Sequence, residues 1–314
     1  MSSDVATRLA ENGRYFEYTQ AADPVGSGAI SAIPFAEFGA DLHSSGPTRV
    51  IPLDLSAKLK TRGPATSPAL CANFVRILAG ETLETSPNAT SQLFYVIRGA
   101  GTTSFGPDAI PWSEGDFVAL PAGFPAVHTA VAESALYLVH DEPLLRYLGA
   151  RADEPRFKPT LYTSEATRAE LDAVAAEASA VNRSRVSVLL ASRELDQTLT
   201  VTHTLWAMFG LLPPSAAQLP HRHQSVALDL ILDCKPGCYT LVGERLDERK
   251  RIVAPLRVDW KPWSAFVTPP GQWHAHFNES GSPAHLIPLQ DAGLQTYLRT
   301  LDIEFVLPVR SESP

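Results

Sequence analysis

Apolar positions along this chain come in short runs rather than long helical stripes. "CANFVRILAG", "SQLFYVIRGAGTTSFG", "GDFVALPAG" and "SALYLVHDEP" are rich in Val, Ile, Phe and Tyr. Gly and Pro interrupt them at hairpin spacing, which predicts strands joined by tight turns. The stretch 164–183, "SEATRAELDAVAAEASAVNR", departs from this pattern. It opens on a Ser with Glu close behind, is rich in Ala and Glu, and lacks Gly and Pro, so it predicts a helix. Strand-like runs then resume with "RVSVLLAS", "LTVTHTLWAMFG", "VALDLILDC", "GCYTLVG", "SAFVTPPG" and "AHLIPL". The pattern predicts an all-β protein of sandwich or barrel type.

Two strand-rich halves around a helical stretch suggest a duplication. "RGAGTTSFG" (98–106) lines up with "KPGCYTLVG" (235–243), a turn and then a short strand. "DFVALPAGFPAVHTA" (116–130) lines up with "AFVTPPGQWHAHFNE" (265–279), matching Pro121-Ala-Gly123 to Pro269-Pro-Gly271. The expected organisation is an N-terminal arm over 1–54, a first barrel over 55–150, a helical connector over 151–185 and a second barrel over 186–308.

The chain has 314 residues, enough for a sizeable core. A net charge of −8 without a basic block argues against nucleic acid or an anionic membrane as partner. No apolar stretch is long enough to cross a bilayer as a helix. Cys71, Cys234 and Cys238 form no Cys-x-x-Cys pair and suggest a reducing compartment. The opening residues carry acids and lack an apolar core, so no signal peptide is expected there. The expectation is a cytoplasmic protein, in which the sequons at Asn88, Asn182 and Asn278 are chance patterns.

Histidine brings in chemistry. Four of the nine histidines lie in His221-Arg-His223 and His274-Ala-His276. Residues i and i+2 of a strand share a face, so each pair looks one way. Neutral imidazole is the commonest protein ligand of Fe, Zn, Cu and Ni. A lone His-x-His is more often structural, but two such motifs about fifty residues apart, each at a strand signal, suggest a shared ligand.

These residues resemble the cupin superfamily. Its first motif sets His-x-His before a strand. Its second, Pro-x-Gly-x-x-His-x-x-x-Asn, is matched at every fixed position by Pro269 through Asn278. The resemblance implies two double-stranded β-helix barrels, a bicupin, with His221, His223 and His274 as metal ligands. Many cupins add a Glu four or five residues after the second histidine. Ala227 and Leu228 stand there instead, and Asp229, the nearest acid, is out of phase with Leu228. The His-Arg-His start, the missing carboxylate and the Trp-His-x-His-x-Asn-Glu stretch resemble the gentisate 1,2-dioxygenase and 1-hydroxy-2-naphthoate dioxygenase group. That group commonly carries its metal in the N-terminal cupin, whereas the motif here lies in residues 218–280. In the first copy Thr85 and Pro87 fall opposite His221 and His223, Ala126 opposite His274, and His128 opposite His276. Gln92 stands near the carboxylate position, and the first barrel is expected to lack metal.

The resemblance implies a non-haem iron(II) dioxygenase that takes a small aromatic hydroxy-acid, or another chelating substrate, together with O2. Mn, Ni, Cu and Zn also suit such a site. Three neutral imidazoles can fill one face of an octahedron and leave three positions for substrate and O2. His276 is the candidate catalytic group, placed to bind a substrate carboxylate or take a proton, with a packing role as the alternative. Gln272, Trp206 and Met208 are candidate pocket residues, with core packing as the alternative for the last two. Arg222 alternates outward and reads as structural. The family implies a homodimer or larger assembly. The competing readings are another metal-dependent cupin enzyme (a decarboxylase, an isomerase or an oxidative tailoring enzyme) and a small-ligand-binding bicupin without turnover.

Overall fold

The computed structural model describes residues 2–179, 183 and 185–307. Part of the expected helix (180–182), with the sequon at Asn182, and residue 308 at the expected end of the second barrel lie outside these residues. The chain forms two compact units. The first, Met1–Ala32, carries a helix at Ser2–Ala10 and a short one at Tyr18–Ala21, whose first amides are met by the Glu17 carboxylate. The second, Ile33–Pro314, holds everything that follows.

Each half of the second unit is a pair of antiparallel sheets. In the first half a six-stranded sheet runs, in spatial order, Thr160–Tyr162, Phe117–Pro121, Ser91–Arg98, Ser134–His140, Cys71–Ile77 and Arg49–Pro52. A four-stranded sheet of Thr82–Thr85, Ala126–Ala130, Ala100–Phe105 and Asp108–Ser113 faces it. The second half repeats the plan. Its six strands are Ala36–Phe38, Ala265–Thr268, Ala227–Asp233, Ala284–Gln290, Trp206–Leu212 and Val186–Leu190. Its other sheet holds Leu256–Asp259, Cys238–Gly243, Trp273–Asn278, Ala216–His223 and Ile303–Phe305. The all-β expectation holds. The predicted helix forms over Ser164–Ala176, with the Thr163 hydroxyl accepting from the Ala166 amide at its start.

The two halves exchange strands. Ala36–Phe38 precedes the first barrel in sequence but pairs with Ala265–Thr268 of the second. Thr160–Tyr162 precedes the second barrel but pairs with Phe117–Pro121 of the first. Arg49–Pro52 and Val186–Leu190 occupy matching opposite edges. Residues 36–52, assigned above to an arm, therefore supply an edge strand to each barrel.

Alternation within the strands explains where the cores lie. Leu228, Leu230 and Leu232 join Ala207, Phe209, Leu93 and Tyr95 in an apolar layer shared by both halves. Ile231, Phe266, Leu286 and Leu212 point the other way and pack inside the second barrel with Trp260 and Val258. Phe94, Val96, Leu120, Leu136 and Trp112 do the same in the first. A strand buried on both faces reads as a continuous apolar run, which is why "LDLIL" shows little polar alternation.

Candidate metal centre in the second barrel

The two histidine motifs lie on neighbouring strands. Ala216–His223 pairs with Trp273–Asn278, setting Gln218 opposite His276 and His221 opposite His274. Two residues, Leu219 and Pro220, then stand opposite one, Ala275, and form a bulge. The extra residue turns both Gln218 and His221 inward. The turn before His274 is fixed by Gly271, whose φ of +75° suits a residue without Cβ. The Gly271 amide donates to the His223 carbonyl oxygen at 2.7 Å and ties the two motifs together.

All four imidazoles are buried, none more than 4% exposed. Ring centroids of His221 and His274 are 4.0 Å apart, those of His223 and His274 4.9 Å, and those of His221 and His223 6.0 Å. His276 lies 5.8 Å from His274 and 5.9 Å from His221. Side-chain nitrogens of His221, His274 and His276 fall within 4.8 Å of one another. Burial holds the rings neutral. It lowers His223 to about 4 and His276 to about 3, and takes His221 and His274 well below the ordinary 6.5.

Hydrogen bonds divide these four rings into three and one. His223 Nδ1 faces the Ser225 carbonyl oxygen at 2.8 Å, His274 Nδ1 that of Gln272 at 3.1 Å, and His221 Nδ1 that of Leu219 at 3.3 Å. A carbonyl only accepts, so each Nδ1 carries the proton and each Nε2 keeps a lone pair. His276 differs. Its Nδ1 lies 2.7 Å from the Thr240 hydroxyl, which itself accepts from Trp260 Nε1 at 2.8 Å. His276 Nδ1 is thus met by a hydroxyl, which can donate as well as accept, where the other three rings meet carbonyl oxygens. Three rings have Nδ1 on a carbonyl, and the fourth has it on a hydroxyl. Neutral nitrogen donors pinned in this way fit a divalent transition metal.

The first barrel repeats the threonine–histidine–tryptophan arrangement without the other three imidazoles. Thr103 Oγ1 meets His128 Nδ1 at 2.8 Å and accepts from Trp112 Nε1 at 2.9 Å. His128 Nε2 meets Thr85 Oγ1 at 3.0 Å, and that hydroxyl donates to Gln92 Oε1 at 2.7 Å. Thr85 pairs with Ala126 where His221 pairs with His274, so the register matches the alignment read from the sequence.

Other polar groups reach the second barrel's interior without having been singled out. Arg185, half-buried, donates from Nη2 to His221 Nε2 at 2.9 Å and from Nη1 to Met208 Sδ at 3.2 Å. Gln218, its amide oxygen turned inward, accepts from Arg185 Nε at 2.7 Å and Nη2 at 3.1 Å. Asp229 shares the inward face with Ala227 and Ile231 and accepts from the Thr268 hydroxyl at 2.9 Å. Burial pushes its carboxyl up to about 6. Gln290 approaches His223 Nε2 at 3.4 Å.

A cavity of about 320 Å³ opens beside this cluster, lined by Arg185, Ser187, Leu211, Gln218, His276 and Pro288 among others. Of the expected pocket residues, Met208 touches Arg185 inside the barrel. Trp206 is the register partner of Gln290 and has a buried, unpartnered indole nitrogen. Gln272 is half-buried and serves the site through its backbone carbonyl. Arg222 faces outward, paired with Glu304 at 2.8 Å and stacked over Trp273. Asn278 ties down the turn after its strand, donating to the Leu212 and Ser282 carbonyls.

No family model and no curated protein matches the sequence. Solved structures do match. A salicylate 1,2-dioxygenase from Pseudoaminobacter salicylatoxidans with bound gentisate is 13% identical over 97% of this chain and 94% of that one, with a TM-score of 0.71. Another structure of that enzyme is 12% identical over 96% of both chains, also at 0.71. A cupin 2 conserved barrel domain protein from Leptotrichia buccalis is 13% identical over 83% of this chain and 97% of that one, with a TM-score of 0.51. Among the described residues, no helix is long and apolar enough to cross a membrane. With both barrels and nearly the full length superposable on a dioxygenase of this architecture, the chain has the bicupin fold.

Proposed function

We propose that this protein is a non-haem iron(II) dioxygenase whose metal is held by His221, His223 and His274 in the second barrel. The observation that carries this reading is the set of three Nδ1 atoms held by backbone carbonyls, which leaves the Nε2 atoms of these rings as the acceptors. A bound iron would supply the O2 and redox chemistry that side chains lack. Around it, the chain's own groups suit a small aromatic hydroxy-acid. Arg185 and Gln218 line the cavity as partners for a carboxylate and a ring hydroxyl, and His276 lines the same space. Ile231, Phe266 and Leu286 belong to the apolar cluster of the same barrel. A cavity of about 320 Å³ suits a single substituted ring. The salicylate and gentisate named with the matching structures are the first substrates to try.

The remaining features of this reading are a homodimer or larger assembly and a cytoplasmic setting, the latter supported by three unpaired cysteines.

The test combines metal analysis with an oxygen electrode. Anaerobically loaded protein is expected to hold one iron per chain and to consume O2 with gentisate or salicylate. His223→Ala is expected to lose both. Wild-type protein that binds no iron, or iron retained in full by His223→Ala, would remove the basis of the proposal.

A further inference from the structure

The His221 Nε2 lone pair already has a partner inside the barrel. Arg185 Nη2 donates to it at 2.9 Å, while the same guanidinium reaches Met208 Sδ and the Gln218 amide oxygen. One lone pair serves one acceptor bond. A metal drawing on His221 Nε2 therefore excludes the Arg185 contact, and two cations at that spot would also repel. Among the described residues Arg185 forms no ion pair. Asp229, the carboxylate that attracts it, is engaged by Thr268. Freed from His221, the guanidinium lies along a cavity whose lining contains no carboxylate. A displaced Arg185 is thus an unpaired cation facing open space, a receptor for a small organic anion.

We infer that Arg185 couples two binding events: a carboxylate in the cavity draws the guanidinium off His221 and so tightens metal binding, and the metal tightens carboxylate binding in return. The two effects are equal by linkage. This rests on the reading of His221 as a metal ligand. In it, Arg185 tunes metal affinity and keeps the loaded centre scarce until an acid is present.

The experiment is a Co(II) titration followed by visible absorbance, at fixed ionic strength, with and without benzoate. A hydrogen bond from a charged donor is worth enough that Arg185→Met should bind Co(II) about ten- to a hundredfold more tightly than wild type without benzoate. Benzoate should tighten Co(II) binding in wild type, and Co(II) should tighten benzoate binding by the same factor. Benzoate should leave the variant's Co(II) affinity unchanged. Arg185→Gln carries the same expectation should the methionine variant not fold, and the wild-type benzoate effect requires no variant. Equal Co(II) affinity in wild type and variants, or a benzoate effect that survives in the variants, overturns the coupling while leaving the metal reading intact. Failure of every form to bind Co(II) overturns both.

Discussion

The Thr240 hydroxyl stands 2.7 Å from Nδ1 of His276, and its proton, when given to that nitrogen, keeps the ring's own proton on Nε2. Thr240→Val keeps the shape but removes the bond and strands the Trp260 indole N–H. The expected cost is about 1–3 kcal/mol of stability. Nitrogen-15 spectra of the ring should change from a pure Nε2–H form to a mixture. An unchanged tautomer would show that Thr240 does not set it.

In the proposed site His276 is a donor and His223 a ligand, so the two should respond differently to removal. His276→Gln is expected to retain a full complement of iron by elemental analysis while O2 consumption falls by about 10² or more, the scale of a lost acid–base or donor group. Loss of iron in His276→Gln equal to that in His223→Ala would make His276 a ligand.

Acid should destabilise the metal-free protein. His128, His140 and His223 are lowered to about 4 and His276 to about 3, against 6.5 for an ordinary histidine. The unfolded chain therefore binds more protons than the folded one below about pH 6.5. Stability present above that pH drains away as pH falls toward 4 and below. One histidine held at about 4 contributes about 3 kcal/mol that disappears over this window. Asp229 and Asp291, raised to about 6 and about 7, act in the opposite sense, their stabilising share being lost as pH rises. Seven buried histidines, all lowered, outweigh three raised aspartates, Asp141 being the third. The urea midpoint in EDTA should fall from pH 7 to pH 4, and a rise would contradict this assignment of neutral rings.

Neither half should fold alone. A chain of residues 186–307 lacks Ala36–Phe38, the edge strand beside Ala265–Thr268, and exposes Leu228, Leu230, Ala207 and Phe209. Circular dichroism of this fragment should show no cooperative melt, whereas the full chain should melt in one transition. Two resolved transitions in the full chain would argue for independent barrels.

Much of this architecture was legible in the residues. His-x-His and Pro-x-Gly mark their own strands because a period of two and a left-handed turn are local properties. The duplication was visible for the same reason, and the pairing of Thr85 with Ala126 follows the alignment read from "LPAGFPAVH". What escaped was set by distance along the chain. Arg185 follows a helix in "NRSRV", where nothing marks an inward-facing arginine, and its partner His221 lies thirty-six residues on. The bulge at Leu219 and Pro220 changes the phase of the strand, so Gln218 could not be placed inward by simple alternation. Asp229 was read against Leu228, yet it is in phase with Ala227 and so points into the barrel. Strand exchange leaves no local trace, because Ala36–Phe38 finds its partner more than two hundred residues away.

That exchange also bears on how the chain has been able to change. A first copy with Thr85 and Ala126 in place of imidazoles would be dispensable if it merely sat beside the second. It is not, because each copy owns a strand that the other needs. Deleting the ligand-poor copy would unravel its twin, so descent is free to alter its interior but must keep its outline.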